Sequence, residues 1–159
     1  MGSNAEEITL HPNVVALESY LQSIAAPGCL AKKSDLNLPD LYKIAKYLLL
    51  TEAIDGDTRR RWYIRYYGTG MSDATRVNAQ GRFVDELTHF QGFTPFVTLF
   101  DSVFEQRRML SVGVNETIYV GGDKATGRSP VRILCYAFPL LDDDGMPRYA
   151  LTFVEFDPI

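Results

Sequence analysis

The residues of this 159-residue chain best equipped for chemistry are two histidines, two cysteines and a scatter of acids, arginines and tyrosines. His11 and His89 lie far apart in sequence, so each acts alone. His89, between Thr88 and Phe90, can turn its ring into a pocket or fix a loop through one hydrogen bond. It is also the one candidate axial ligand for a haem, and no motif calls for haem, flavin or another cofactor. Cys29 and Cys135 have no Cys or His neighbour at metal-ligand spacing and are too few for a disulfide framework. Cys135 stands in an apolar run with no histidine placed beside it, which suits a small buried residue better than a nucleophile. Glu52, Arg65, His89 and Tyr136 are able to supply acid, base or anion-binding groups. They would make a small enzyme if two or more converged in one cleft.

Three short motifs invite sharper readings and sustain plainer ones. Gly68-Thr69-Gly70-Ser72 has glycines and hydroxyls but not the full spacing or the Lys-Ser/Thr ending of a phosphate loop, and reads as a strand exit. Asp142-Asp143-Asp144-Gly145 lacks the later ligands and terminal Glu of a calcium loop, and reads as a hairpin turn. Arg59-Arg60-Arg61 is either an anion patch or a solvated turn, and the second needs nothing further. No metal site is predicted.

A different chemistry follows from the aromatic residues. Trp62, Ile64 and Tyr66 alternate with Tyr63, Arg65 and Tyr67, so they share one strand face, the more apolar one. That face should meet helices, and the expectation is core packing or the wall of a pocket. Such a pocket takes Phe83, Phe96 and Phe100 from the helical region and Cys135 from a facing strand, with His89 as its polar candidate. An aromatic lining with few polar groups suits a small, mostly apolar molecule.

The elements that must position these residues are legible in order. Val14, Leu17, Leu21 and Ile24 recur at helical spacing between Asn13 and about Ala26, with Asn13 as the cap and Pro27-Gly28 as the stop. This flanking helix can pack back on the domain or pair with a second copy. Pro39-Asp40 opens a short helical turn, and Tyr47 to Ile54 reads as a first strand. Asp55-Gly56-Asp57 turns the chain into a second strand over Arg61–Tyr67. A short helix over Met71–Val77 and a loop over Asn78–Arg82 follow, with Gly81 supplying a positive φ. Thr94-Pro95 starts the most amphipathic helix, in which Phe96, Leu99, Phe100, Val103 and Phe104 share a face. Leu110–Val120, Val131–Leu141 and Tyr149–Phe156 read as three strands joined by Gly121–Ser129 and by Asp142–Gly145. Turn chemistry at those joints makes them antiparallel neighbours. The fold class is α+β: a five-stranded antiparallel sheet with helices on one face, plus the N-terminal helix.

Composition bounds the partners. The net charge is −4 and the hydrophobic content 46%. The first argues against a general nucleic-acid binder, and the second supports a core without disulfides or metals. No apolar run approaches the roughly 20 residues that span a bilayer, and no secretory signal opens the chain. A cytoplasmic protein is expected. Residues 1–12 are read as a disordered or vector-derived start, 13–30 as the flanking helix and 31–159 as the main domain.

The order of elements resembles the PAS fold, and Trp62-x-Ile64-Arg65-Tyr66-Tyr67-Gly68-Thr69, eight residues, then Asn78-Ala79-Gln80-Gly81-Arg82 is similar to the signature of a bacterial branch, the PAS_5-type family. Asn78 and Gln80 stand where that family has Asp and Thr. The likeness runs from about Asp35 to Phe156. It implies a non-enzymatic sensory or interaction module with a pocket between sheet and helices and a homodimer through the flanking helix. With no kinase, cyclase or DNA-binding segment in this sequence, output would pass through a protein partner or the dimer itself. The rivals are a small enzyme on the same scaffold and a ligand-free dimerisation domain.

Overall fold

The structure, a computed structural model, describes residues 10–87, 94–119 and 127–159. A helix α1 (Pro12–Ile24) is followed by single 3-10 turns at Lys33–Asp35, Leu38–Leu41 and Ala45–Tyr47. The hairpin β1 (Leu48–Asp55) and β2 (Arg60–Tyr67) leads into α2 (Thr69–Thr75), a 3-10 turn at Val84–Glu86 and α3 (Thr94–Gln106). Strands β3 (Leu110–Tyr119), β4 (Arg128–Leu141) and β5 (Pro147–Pro158) complete the order. All four strand pairings are antiparallel, in the sequence β2-β1-β5-β4-β3. The last strand therefore sits at the centre and joins the two hairpins. This is an α+β, PAS-like sheet with an N-terminal flanking helix.

Each face of the sheet buries its own apolar cluster, because successive strand residues point to opposite sides. The inner face carries Ile64, Ile133, Cys135, Ala137 and Val154 against Met71 of α2 and Phe96, Phe100 and Val103 of α3. The outer face carries Leu48, Leu50, Phe138, Leu140, Leu151 and Phe153 against Val14, Leu17 and Leu21 of α1. Leu17 and Val14 are fully buried. The flanking helix thus packs back on its own sheet, the first of the two arrangements its periodicity allows.

Local chemistry moves several boundaries. The cap of α1 is His11, not Asn13: the His11 Nδ1 accepts the Asn13 N–H at 3.0 Å. Pro12 decides this, since it occupies the first helical turn and holds the preceding residue extended. His11 also tilts against the Phe153 ring, 5.3 Å between centroids, so the ordered chain reaches back into the stretch read as a loose start. The helix expected at Met71–Val77 begins two residues earlier and ends at Thr75, where Arg76 adopts φ 61°. Strand β4 starts at Arg128, inside the joint expected at Gly121–Ser129, because Arg128, Ser129 and Pro130 pair with Tyr119, Ile118 and Thr117. Its two prolines sit where one neighbouring strand is missing. Pro130 lies before β5 pairing begins at Val131, and Pro139 lies beyond the end of β3 pairing at Ala137. A residue without an N–H is tolerated there.

Candidate functional site

Strand β2 positions the inner-face residues, and it does so through a break in its register. Leu50 pairs with Tyr66 while Thr51 pairs with Ile64, leaving Arg65 as an extra residue in a β-bulge. A one-residue insertion turns every following side chain to the other face. Trp62 and Ile64 therefore point inward as alternation requires, but Tyr66 does not. Tyr66 lies on the outer face, its hydroxyl donating to the Ala45 carbonyl at 2.9 Å. Tyr67 takes the inward place instead and is buried.

Between the inner face and the helices lies an apolar cavity of about 50 Å³. Four of the expected residues line it: Ile64, Phe96, Phe100 and Cys135. Trp62 is buried nearby but faces α3, donating its indole N–H to Asp101 Oδ1 at 2.8 Å and packing on Phe100 and Phe104. Phe83 belongs to the opposite side. It meets the Tyr63 ring edge-on at 5.3 Å and lies under the Arg61 guanidinium at 3.8 Å. The reason is a bridge between Tyr63 and Phe83, with Ile64 N–H donating to Arg82 O and Gly81 N–H to Ile64 O, which lays this stretch along the β2 edge. Gly81 has φ 82° there, the left-handed conformation its type allows. His89 lies outside the described residues.

Tyr67 and Thr75 supply the polar groups of the cavity wall, with Met71, Leu49, Val84 and Leu87 beside them. The Thr75 hydroxyl donates to Met71 O at 2.8 Å and lies 3.1 Å from the Tyr67 hydroxyl. Burial pushes the Tyr67 phenol above its ordinary range, a shift the Thr75 hydrogen bond partly offsets. Burial pushes the Cys135 thiol up to about 12, so it stays protonated and unreactive at neutral pH. Thr152, fully buried in the same row of the sheet as Leu49, has a hydroxyl with no hydrogen-bond partner among the described residues.

The polar singles fare differently. Glu52 and Arg65 meet on the outer face. Arg65 Nε donates to Glu52 Oε1 at 2.6 Å and its Nη2 contacts the same oxygen, while Arg148 Nη1 stands 3.8 Å from Oε2. A carboxylate held between two guanidiniums is neutralised and poorly placed to act as a base. Tyr136 is on the outer face opposite Phe153 and Ser111, away from this pair, and burial pushes its phenol upward. Arg59, Arg60 and Arg61 are matched by carboxylates. Arg61 forms a fork on Asp85 at 2.8 and 2.7 Å, Arg59 reaches Asp85, and Arg60 reaches Asp101. Asp142 caps its own turn, accepting N–H bonds from Asp144 and Met146 at 2.9 Å each.

Sheet order and flanking helix together give an α+β fold consistent with a PAS-like one. No family model matches the chain, and no curated protein matches it. Among the described residues no helix is long and apolar enough to cross a membrane.

Proposed function

We propose that this chain is a non-enzymatic, PAS-like sensory or interaction module of the cytoplasm, whose inner-face cavity admits a small, mostly apolar molecule and whose output passes to a protein partner or a second copy. The cavity carries the reading. Its walls come from the sheet and from α2 and α3, so a guest would touch the sheet and the helices at once. At about 50 Å³ it has room for a few non-hydrogen atoms, against roughly 150 Å³ for an engineered cavity that takes benzene. A ring-sized guest must displace a side chain, and Met71, unbranched and flexible, is the one suited to move. Among the described residues the cavity wall carries no free acid, base or nucleophile, which favours binding over catalysis: the Cys135 thiol is protonated there and Tyr67 is engaged with Thr75.

Native mass spectrometry of freshly purified protein, followed by a thermal-shift screen of small apolar compounds, tests this. The expected result is a retained or added compound that raises Tm, and loss of that shift in Val154→Leu, which fills the cavity. No shift with any compound, together with an empty inner face in a crystal, would overturn it.

A further inference from the structure

The side of the sheet facing away from the cavity has an opening of a different kind. A groove of about 510 Å³ runs between the 3-10 turns at Lys33–Leu41 and the outer face of β1 and β2. That volume lies within the roughly 300–1,000 Å³ typical of small-molecule sites, which the inner cavity does not reach. Its floor is the Glu52–Arg65 pair, and Tyr149 stands directly opposite Glu52 across the β1–β5 ladder. Leu36 and Leu38 form an apolar wall and Lys33 the rim.

Charge in this groove does not cancel. Glu52 shares its one negative charge between Arg65 and Arg148, and Arg148 draws in Asp142 at 3.4 Å. No ion pair engages Lys33 among the described residues. The surplus is therefore a positive charge on the rim, in a chain whose net charge is −4. Arg65 uses Nε and Nη2 on Glu52 and keeps a further nitrogen, Nη1, with its side chain half exposed. The Tyr149 hydroxyl makes no hydrogen bond among the described residues, and as a phenol, its proton affinity raised first by burial and then by the Glu52 carboxylate, it is a donor at neutral pH. Donors and positive charge thus line one side, and leucines the other. Glu52, 7% exposed, holds the Arg65 head in place before any guest arrives.

We propose that this outer-face groove is a binding site for an organic carboxylate with an apolar body, the carboxylate meeting Lys33, Arg65 and Tyr149 and the body lying against Leu36 and Leu38. Catalysis is not part of the role, since Glu52 is held between two guanidiniums and the groove lining carries no Ser, Cys or His. Titration of the full chain at low salt with 4-phenylbutyrate, its neutral amide and inorganic phosphate, followed by NMR, tests it. The carboxylate is expected to saturate, with the amide and phosphate each about tenfold weaker or worse and affinity falling as salt is added. Lys33→Ala, at an exposed position that leaves the fold intact, is expected to weaken binding about fivefold, and Tyr149→Phe to weaken it without loss of Tm. Val154→Leu, in the inner cavity, is expected to change nothing. The proposal is overturned if 4-phenylbutyrate does not saturate, if the amide or phosphate binds equally well, if Lys33→Ala and Tyr149→Phe leave binding unchanged, or if binding disappears in Val154→Leu.

Discussion

At the scale of single residues, burial and pairing decide reactivity. Cys29 is exposed and Cys135 buried with its thiol pushed up to about 12, so the two cysteines should separate cleanly under alkylation. At pH 8, iodoacetamide is expected to modify one thiol per native chain within minutes, at Cys29 by peptide mapping, and both only after denaturation. Two equally fast thiols would contradict the inward placement of Cys135. The carboxyls give a second prediction. Asp85 is held below the usual carboxylate range first by the hydrogen bond from Arg61, and Asp142 first by the Met146 N–H. A group whose folded value is lowered contributes stability above its unfolded value, near 4, and loses that contribution as pH falls through the folded value. Tm is therefore expected to be steady above about pH 4 and to drop below it. Asp85→Asn should lower Tm slightly at neutral pH and flatten part of the acid decline. An unchanged pH profile in that variant would remove Asp85 from the account.

At the scale of elements, the exit from β2 is the tightest joint. A Cβ on Gly68 would stand 2.2 Å from the Lys46 carbonyl oxygen and 2.8 Å from that of Ala45, and one on Gly70 would stand 2.6 Å from the Tyr47 ring. Gly68 has an ordinary φ of −61°, so close approach of backbone to backbone requires the glycine there, not an unusual conformation. Gly68→Ala is expected to cost about 1–3 kcal/mol in denaturant unfolding, because a backbone carbonyl cannot swing aside. Gly127→Ala, where no described residue lies within 4 Å, is the matched control. Comparable losses in both would show that the joint is looser than its geometry implies.

At the scale of the whole molecule, helices pack on both faces of the sheet, and the flanking helix is part of the core. Leu17→Ala is expected to cost about 2–5 kcal/mol, the range for deleting a buried leucine side chain. A chain beginning near Ala31 would expose Leu48, Phe138, Leu140, Leu151 and Phe153, and is expected to aggregate or to lose cooperative unfolding. A homodimer through α1 has only its outward side to use, where Val15 is 50% exposed. Val15→Glu separates the two roles. It should leave Tm unchanged, and in a dimer built on α1 it should halve the mass seen by light scattering.

Periodicity by itself determined the element order. The i, i+3, i+4 spacing of Phe96 to Phe104 and of Val14 to Ile24, the turn at Asp55–Asp57 and the alternation in the last strands are local signals, and local sterics honour them. Ile64, Phe96, Phe100 and Cys135 were legible as wall residues for the same reason. Tertiary structure decided the rest. The bulge at Arg65, which exchanges Tyr66 for Tyr67, depends on how β2 pairs with β1, and nothing in the composition of β2 marks the extra residue. Phe83 was lost from the pocket because its stretch bridges to an edge strand. The meeting of Glu52, Arg65 and Tyr149 joins residues nearly 100 positions apart through the central placement of β5. Side-chain period is a property of one segment, whereas register and sheet order are settled between segments, where a single inserted residue reverses a face.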